Sequence, residues 1–269
     1  MNFLEVSIPH LSKEGTFRSS LHTLTTDHLL EGIDALYLLP IFHPSLATSR
    51  SPYCITDFKA LNPQLGNWRD FSFFIESIHA LGKKVVLDLV LNHTSPLHPW
   101  THRPDFYVLD LGGKPTAPPH TNWDDVIQLN HENPEVQNEL LNVIDFWLAL
   151  GVDGFRFDAA RFIPNAFWEK ALARMENKLA WADSDLPLSF THFTCKESIH
   201  ERSVVFTTNH DELLSKGSIK NQFGEHALDV IKKRRASAKH YMSIPYEDAN
   251  LDYYYDFRLS PETISHGDL

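Results

Sequence analysis

Short apolar runs alternate with helical stretches along this 269-residue chain, and this alternation constrains its fold more than any other feature. The clearest run, residues 85–91, is apolar at every position except Asp88, which is typical of a parallel strand covered on both faces. Residues 68–81 show the three- and four-residue spacing of a helix that lies on a core. Further runs predict strands at residues 3–8, 32–40 and 152–158, and helices at residues 134–150, 167–179 and 222–242. The pattern predicts an α/β fold around a parallel sheet.

Composition and charge exclude several classes of protein. Hydrophobic residues make up 42% and charged residues 22%, as in a globular domain rather than a disordered chain. The net charge of −11 repels nucleic acid and anionic lipid, so neither a nucleic acid nor a membrane is expected as a partner. Without a membrane span or a secretory signal, a cytoplasmic location is expected. Cys54 and Cys195 are far apart, and that location disfavours a disulfide between them.

Three predicted strands end in polar residues that a core would not select. They are Asp88, Asn92 and His93 at the first, Arg156 and Asp158 at the second, and Asn209, His210 and Asp211 at the third. A helix cap or an ion pair between strands explains any one set equally well. Together they indicate a barrel, because the carboxyl ends of parallel barrel strands meet at the rim that carries the active site. Arg156, two residues from Asp158, is expected to lower the pKa of that carboxyl and keep it ionised, as a nucleophile requires.

These three segments resemble short sequence regions of the α-amylase family, glycoside hydrolase family 13, whose members are retaining α-glucoside hydrolases and transglycosylases. The similarity extends from about residue 3 to about residue 212. It implies a (β/α)8 TIM-type barrel with a short subdomain inserted after the third strand. Three divisions are expected. Residues 1–93 form the first part of the catalytic barrel, residues 94–132 the inserted subdomain, and residues 133–269 the rest of the barrel with a C-terminal helix and tail.

The resemblance also implies roles for the matching residues. Asp158 would be the nucleophile that forms a covalent glycosyl intermediate, with Arg156 orienting it. Asp211 would bind the hydroxyl groups of the reacting sugar. The remaining contacts to that sugar would come from Tyr53, which would stack on it, and from His93 and His210, which would donate or accept hydrogen bonds.

Other residues are implied to support the site. Asp88 and Asn92 would lie behind it. No cofactor is required, although the asparagine that matches Asn92 is a calcium ligand in many relatives, so a calcium ion is an open alternative. Four aromatic residues of the insertion would either stack on sugars or pack the subdomain: Trp100, Phe106, Tyr107 and Trp123.

The pattern lacks a second carboxyl. Retaining hydrolysis needs a proton donor roughly 5 Å from the nucleophile, and in the family it is a glutamate at the end of the fifth strand. The usual apolar run followed by Gly-Glu and an aromatic is absent from the sequence. Four glutamates lie in the relevant stretch: Glu169, Glu176, Glu197 and Glu201. Glu197 is the preferred candidate because residues 188–195 before it alternate like a strand.

The chain is also short between its two aspartates. Asp158 and Asp211 are 53 positions apart, whereas three strand–helix units of a full barrel take about 93 residues. About one and a half units are missing, so the barrel is expected to be incomplete or distorted. A missing strand would expose two sheet edges. Either the chain closes as a smaller or distorted barrel, or a second copy in a homo-oligomer, or another chain, covers the gap.

Three functional hypotheses remain open from the sequence. The first is a hydrolase or transglycosylase that acts on α-glucans or maltooligosaccharides through Asp158. The second is a catalytically impaired relative that binds carbohydrate or a partner protein. The third is a shortened gene product that is partly unfolded or obligately oligomeric. Phe162, which stands where many amylases carry a histidine, weakens the specific interpretation as an endo-amylase.

Overall fold

A computed structural model of the chain describes residues 1–45, 47–183, 192–194, 203–206, 208–247 and 249–250. Its strands are β1 Asn2–Val6, β2 Ala35–Leu38, β3 Phe42–Pro44, β4 Ile55–Leu61, β5 Lys84–Val90, β6 His93–Thr94, β7 Ile127–Gln128, β8 Gly154–Asp158, β9 Leu179–Ala182, β10 His192–Thr194, β11 Ser203–Phe206 and β12 His240–Ser243. Its α-helices are α1 Ile8–Leu11, α2 Phe17–Thr26, α3 Trp68–Ala80, α4 Pro134–Ala149, α5 Asn165–Arg174, α6 His210–Lys216, α7 Ile219–Phe223 and α8 Ala227–Ser237.

Eight parallel strands form a closed barrel. Around the ring the order is β1, β2, β5, β8, β9, β10, β11 and β12, and β12 pairs with β1. The register of β5 and β8 sets Asp88 beside Arg156. This arrangement confirms the TIM-type barrel predicted from the sequence.

The stretches of sequence on either side of β10 are short. Residues 183–191 join β9 to β10, and residues 195–202 join β10 to β11. Each connection is shorter than the dozen or more residues that a helical crossover between parallel strands usually needs. The alternative of a chain that closes as a distorted barrel therefore agrees with the strands that the structure describes, and the expectation of a missing strand with open sheet edges does not. The structural reason to expect a homo-oligomer at those edges is lost with it.

Local sequence signals explain where the main helices begin. The Asn67 side chain caps α3 by accepting from the backbone N–H groups of Arg69 and Asp70. Helix α4 begins at Pro134, and the Asn133 side chain accepts from the N–H of Glu135, as the sequence predicts. The buried stripe of α4 includes Val136, Leu140, Val143 and Trp147. These helices lie outside the ring and fix the strands whose ends carry the polar residues.

Two stretches differ from the elements that the sequence pattern indicates. A helix predicted across residues 167–179 ends as α5 at Arg174, and the chain then enters β9. The single helix predicted across residues 222–242 is divided into α7 and α8 by Gly224, which has a φ of 58°, and β12 follows.

The stretch between β5 and α4 lies over one side of the barrel rim. It contains the antiparallel pair of β6 and β7 and two short 3-10 helices, Pro99–His102 and Pro104–Phe106. Among the described residues, no helix is both long and apolar enough to cross a membrane.

Candidate active site

A cleft of about 890 Å³ opens at the carboxyl ends of the barrel strands. Asp158 at the end of β8 and Asp211 in the first turn of α6 both line it, although 53 positions separate them in the sequence. The cleft is also lined by Tyr53, His93, Arg156 and His210. The structure therefore brings together the two aspartates and most of the residues singled out from the sequence.

Arg156 joins Asp158 to the buried wall of the cleft. Its Nη1 atom lies 2.8 Å from Oδ1 of Asp158 and 2.9 Å from Oδ1 of Asp88. Asp88 is fully buried, and its Oδ2 atom also accepts from the hydroxyl groups of Tyr37 at 2.5 Å and Tyr53 at 2.8 Å. These contacts fix the Arg156 guanidinium, which in turn orients the Asp158 carboxyl toward the cleft.

The net effect on Asp158 differs from the sequence expectation. Burial raises the pKa of Asp158, and the nearby charge of Arg156 lowers it, but the charges of Asp183 and Asp88 add to the effect of burial. The resulting pKa is about 7. Arg156 acts in the expected direction, but desolvation outweighs it. Asp158 can therefore change its protonation state near neutral pH.

Tyr53 and His210 form a second contact across the cleft floor. The Tyr53 hydroxyl lies 2.9 Å from Nε2 of His210, and the two rings are stacked with centroids 5.9 Å apart. His210 Nε2 also lies 3.5 Å from Oδ2 of Asp211, whose side chain is 65% exposed. Asp211 is thus more exposed to solvent than Asp88 or Asp158, as contact with a sugar hydroxyl would require.

His93 lies at the cleft wall beside the inserted segment. Its Nδ1 atom is 3.3 Å from the side-chain nitrogen Nδ2 of Asn92, and its ring packs edge-on against Trp123. Burial lowers the pKa of His93 to about 4. The ring is therefore neutral at pH 7.

Asn92, the expected calcium ligand, is paired with one other amide side chain. Its side-chain oxygen already accepts a hydrogen bond from Nε2 of Gln128 at 2.8 Å. Within the described parts of the chain, no group of three or more His, Cys, Asp or Glu side chains is arranged to hold a metal. Calcium prefers six to eight oxygen ligands, which this amide pair does not supply.

The aromatic residues of the insertion divide between the two expected roles. Trp123 lines the cleft, and its ring also contacts Phe162. Phe106 and Tyr107 are buried, and Trp100 packs against Phe58 and Phe106. Only Trp123 of the four predicted aromatics is placed to meet a ligand in the cleft.

The structure brings a carboxyl to the cleft that sequence reasoning missed. Asp183 follows β9, and the pairing of Phe157 with Ala182 puts Asp183 on the strand next to Asp158. Neighbouring strands lie about 4.8 Å apart. In the sequence, the apolar run Leu-Ala-Trp-Ala followed by an aspartate indicates this carboxyl at a strand end. It does not match the Gly-Glu pattern expected for the proton donor.

Of the four glutamates considered from the sequence, the two that the structure describes do not line the cleft. Glu169 and Glu176 are exposed on and after α5 and do not line it. Glu197 and Glu201 lie outside the described residues.

Asp183 also holds the backbone that follows the nucleophile candidate. Its Oδ2 accepts from the N–H of Ala159 at 2.8 Å, and its Oδ1 accepts from the N–H of Ala160 at 3.2 Å. Ala159 has a φ of 50° and a ψ of 30°, a left-handed conformation that is unfavourable for alanine. The two hydrogen bonds stabilise this turn and with it the position of Asp158.

The fold and site together define a TIM-type barrel with paired carboxyls at the carboxyl ends of neighbouring strands. A family model described as the catalytic domain of alpha amylase matches residues 27–106 and 120–256. This chain belongs to the alpha-amylase family.

Similar proteins include enzymes and a transporter subunit. The chain is 36% identical over 151 residues to Alpha-amylase 3 of Dictyoglomus thermophilum, which covers 49% of this chain and 30% of that protein. It is 29% identical over 227 residues to the amino acid transporter heavy chain SLC3A1 of Mus musculus, covering 71% and 31%. The chain thus spans about a third of the length of these curated relatives.

A solved structure shows the same fold. The crystal structure of an alpha-amylase from Lactobacillus plantarum superposes with a TM-score of 0.80 over 95% of this chain and 72% of that chain. The sequence identity of 22% supports the shared barrel alone.

Proposed function

We propose that this chain is a retaining α-glycoside hydrolase or transglycosylase that acts on α-glucans or maltooligosaccharides through a covalent glycosyl-Asp158 intermediate. The observation that carries the proposal is the convergence of Asp158, Asp183 and Asp211 on one cleft, with Arg156 bonded to Asp158. Membership of the alpha-amylase family and the similarity to a named alpha-amylase support the substrate class.

The first chemical step uses two carboxyls. Asp158 attacks the anomeric carbon, and the new bond to its carboxylate oxygen forms as the bond to the leaving oxygen breaks. Asp183 is the candidate donor of the proton that this leaving oxygen takes up. Carboxyls on neighbouring strands suit the separation of about 5–5.5 Å that retaining enzymes use.

The second step releases the sugar. A water molecule, or a hydroxyl group of another sugar, attacks the anomeric carbon and breaks the ester bond to Asp158. The Asp183 carboxylate takes the proton of the attacking group. Asp211, beside His210, binds hydroxyls of the reacting ring, and Tyr53 and Trp123 border the space that this ring would fill.

Activity on α-glucosides tests this assignment. The Asp158→Asn variant is expected to lose roughly 10⁴-fold or more in kcat on p-nitrophenyl α-glucoside and on maltooligosaccharides, as removal of a nucleophile does. Intact mass after incubation with a slowly released fluorinated glucosyl fluoride should show one added glycosyl group in the parent and none in the variant. Unchanged turnover by Asp158→Asn would refute the proposal.

A catalytically impaired, carbohydrate-binding protein is the second candidate. Both oxygens of Asp183 accept backbone N–H groups, an arrangement suited to a structural role. One of the relatives is named as a transporter heavy chain rather than as an enzyme. This candidate predicts maltooligosaccharide binding by calorimetry without turnover, and hydrolysis that disappears in Asp211→Ala would exclude it.

A further inference from the structure

Glu5 is a fully buried carboxyl that contacts His210, a residue of the cleft lining, and no sequence motif singles it out. It lies in β1, and both of its oxygens face His210. Oε1 is 2.8 Å from the backbone N–H of His210, and Oε2 is 3.0 Å from Nδ1 of the same residue. A buried carboxylate is costly unless it is paired and hydrogen-bonded. Here one histidine supplies both contacts, across 205 positions of sequence.

The other side of the His210 ring determines its protons. Nε2 lies 2.9 Å from the Tyr53 hydroxyl, and that hydroxyl lies 2.8 Å from Oδ2 of Asp88. A phenol has a single proton to donate. Because Asp88 is bonded to Arg156 as a carboxylate, it takes the Tyr53 proton, and the Tyr53 oxygen is left to accept one from Nε2 of His210.

Both ring nitrogens of His210 therefore act as donors. Nδ1–H donates to the Glu5 carboxylate, and Nε2–H donates to Tyr53. A histidine that donates from both nitrogens is an imidazolium. The same Nε2 atom lies 3.5 Å from Oδ2 of Asp211, so the positive charge also faces the open carboxyl of the cleft.

We propose that Glu5 is a positioning residue that holds His210 as an imidazolium, so that a fixed positive charge at the cleft floor orients the Asp211 carboxylate. The orienting role, in which the charge on His210 holds the Asp211 carboxylate ready for sugar hydroxyls, rests on the proposed glycosidase function. The protonation state of His210 does not, and it can be measured without any substrate.

The charged groups around His210 support this assignment. Burial lowers the pKa of His210, but the charges of Asp211 and Glu5 and the hydrogen bond to Glu5 raise it to about 9. Arg156, on β8, acts in the opposite direction. Tyr53 faces the ring from the segment before β4 and carries no charge, because burial raises its own pKa well above the usual range.

The test is the titration of His210 by ¹⁵N-histidine NMR, with the signal assigned by its loss in His210→Gln. In the parent protein, both ring nitrogens are expected to show imidazolium shifts at pH 7.5. In Glu5→Gln, the amide keeps an acceptor but removes the charge, and the titration midpoint should fall by about two pH units. Glu14→Gln, which removes an exposed carboxylate, should leave the midpoint unchanged.

Two results would overturn the inference. One is a parent protein in which His210 titrates below pH 7, which needs no variant and so is independent of whether Glu5→Gln folds. The other is a folded Glu5→Gln with an unchanged midpoint.

Kinetics separates the inference from the proposed function. With a p-nitrophenyl α-glucoside, Glu5→Gln is expected to raise KM about tenfold with a smaller change in kcat, since one charge-assisted contact to the substrate is weakened. An unchanged KM in a folded variant would overturn the orienting role of Glu5. A parent protein with no activity on any α-glucoside would contradict the proposed function, while the NMR result would still decide the charge on His210.

Discussion

Gly154 packs directly against the backbone of Leu179, so closely that a Cβ atom on Gly154 would lie 2.0 Å from the Leu179 carbonyl oxygen. The two residues face each other in the pairing of β8 with β9. Four residues further along each chain segment, Asp158 ends β8 and Asp183 follows β9. The close approach at Gly154 therefore helps to set the separation of the two carboxyls proposed for catalysis.

A side chain at this position should disrupt the barrel. Gly154→Ala is expected to destabilise the protein by about 3 kcal/mol, because the obstructing atoms are backbone and the strands must move apart. Thermal unfolding should show a decrease in Tm of roughly 5–10 °C. Gly112→Ala is the matched control, since Gly112 lies in an exposed turn and a Cβ there would meet only the Asp110 side chain, at 3.2 Å. Equal effects of the two variants would contradict this prediction.

The pH dependence of turnover should report the environment of Asp158. Its pKa of about 7 means that the nucleophile becomes protonated as the pH falls, so kcat/KM should decline below pH 7. The charge of Asp183 contributes to this raised pKa, and Asp183→Asn should therefore move the acid limb to lower pH by about one unit.

The substrate for that measurement is an α-glucosyl fluoride, whose leaving group needs no proton. Asp124→Asn removes another carboxyl that lines the cleft but is not among the groups that shift the pKa of Asp158. It should leave the acid limb in place. A limb that does not move in Asp183→Asn would mean that Asp158 is not the titrating group.

The role of Asp183 as proton donor can be separated from its role in holding the turn at Ala159. Loss of a proton donor slows substrates with poor leaving groups, typically by 10²–10⁴-fold, and spares activated ones. Asp183→Asn should therefore lose activity on maltooligosaccharides by about 10³-fold and on glucosyl fluoride by less than about tenfold. Asp183→Glu, which keeps a carboxyl, should retain more of the maltooligosaccharide activity. Similar losses on both substrates would instead assign Asp183 a purely structural role.

Periodicity predicted the elements that bury long apolar stripes. Strand β5 and helices α3 and α4 lie close to the residues that the sequence indicates, because burial on one or both faces leaves a regular pattern. Strand β9 was missed because it has only four residues and follows α5 closely. Ring closure was one of several open alternatives, since the sequence shows a short connection but does not show whether the strands on either side of it pair.

The candidate site was predicted where a motif carries it and missed where only three-dimensional contacts reveal it. Asp158, Arg156, His210 and Asp211 stand in recognisable strand-end motifs, and the structure places all four at the cleft. Glu5 is an isolated acid in a short first strand, and its partner lies 205 positions away. The net pKa shift of Asp158 likewise depends on burial, which the spacing of Arg156 alone does not reveal.

Three buried histidines should make the fold sensitive to acid. Burial lowers the pKa values of His93, His98 and His131 to about 4, against about 6.5 in the unfolded chain. Between these values the unfolded chain binds protons that the folded protein does not. Their contribution to stability is present above pH 6.5 and is lost as the pH falls through about 4. Asp158, with its raised pKa, acts in the opposite sense between about pH 4 and 7, and His210 does so between about pH 6.5 and 9, but they are two groups against three.

The His98→Asn variant tests this linkage, because the asparagine oxygen can still accept the hydrogen bond that Nδ1 of His98 accepts from the N–H of Trp100. The free energy of unfolding is measured by urea titration at pH 8 and pH 5. The loss of stability between these pH values should be smaller in His98→Asn than in the parent, by on the order of 1–2 kcal/mol. The reason is that the unfolded chain of the variant no longer binds a proton at position 98 that the folded protein does not bind. His102→Asn, at an exposed position of the same short helix, should behave as the parent does. If His98→Asn loses as much stability on acidification as the parent, titration of His98 does not contribute to acid unfolding.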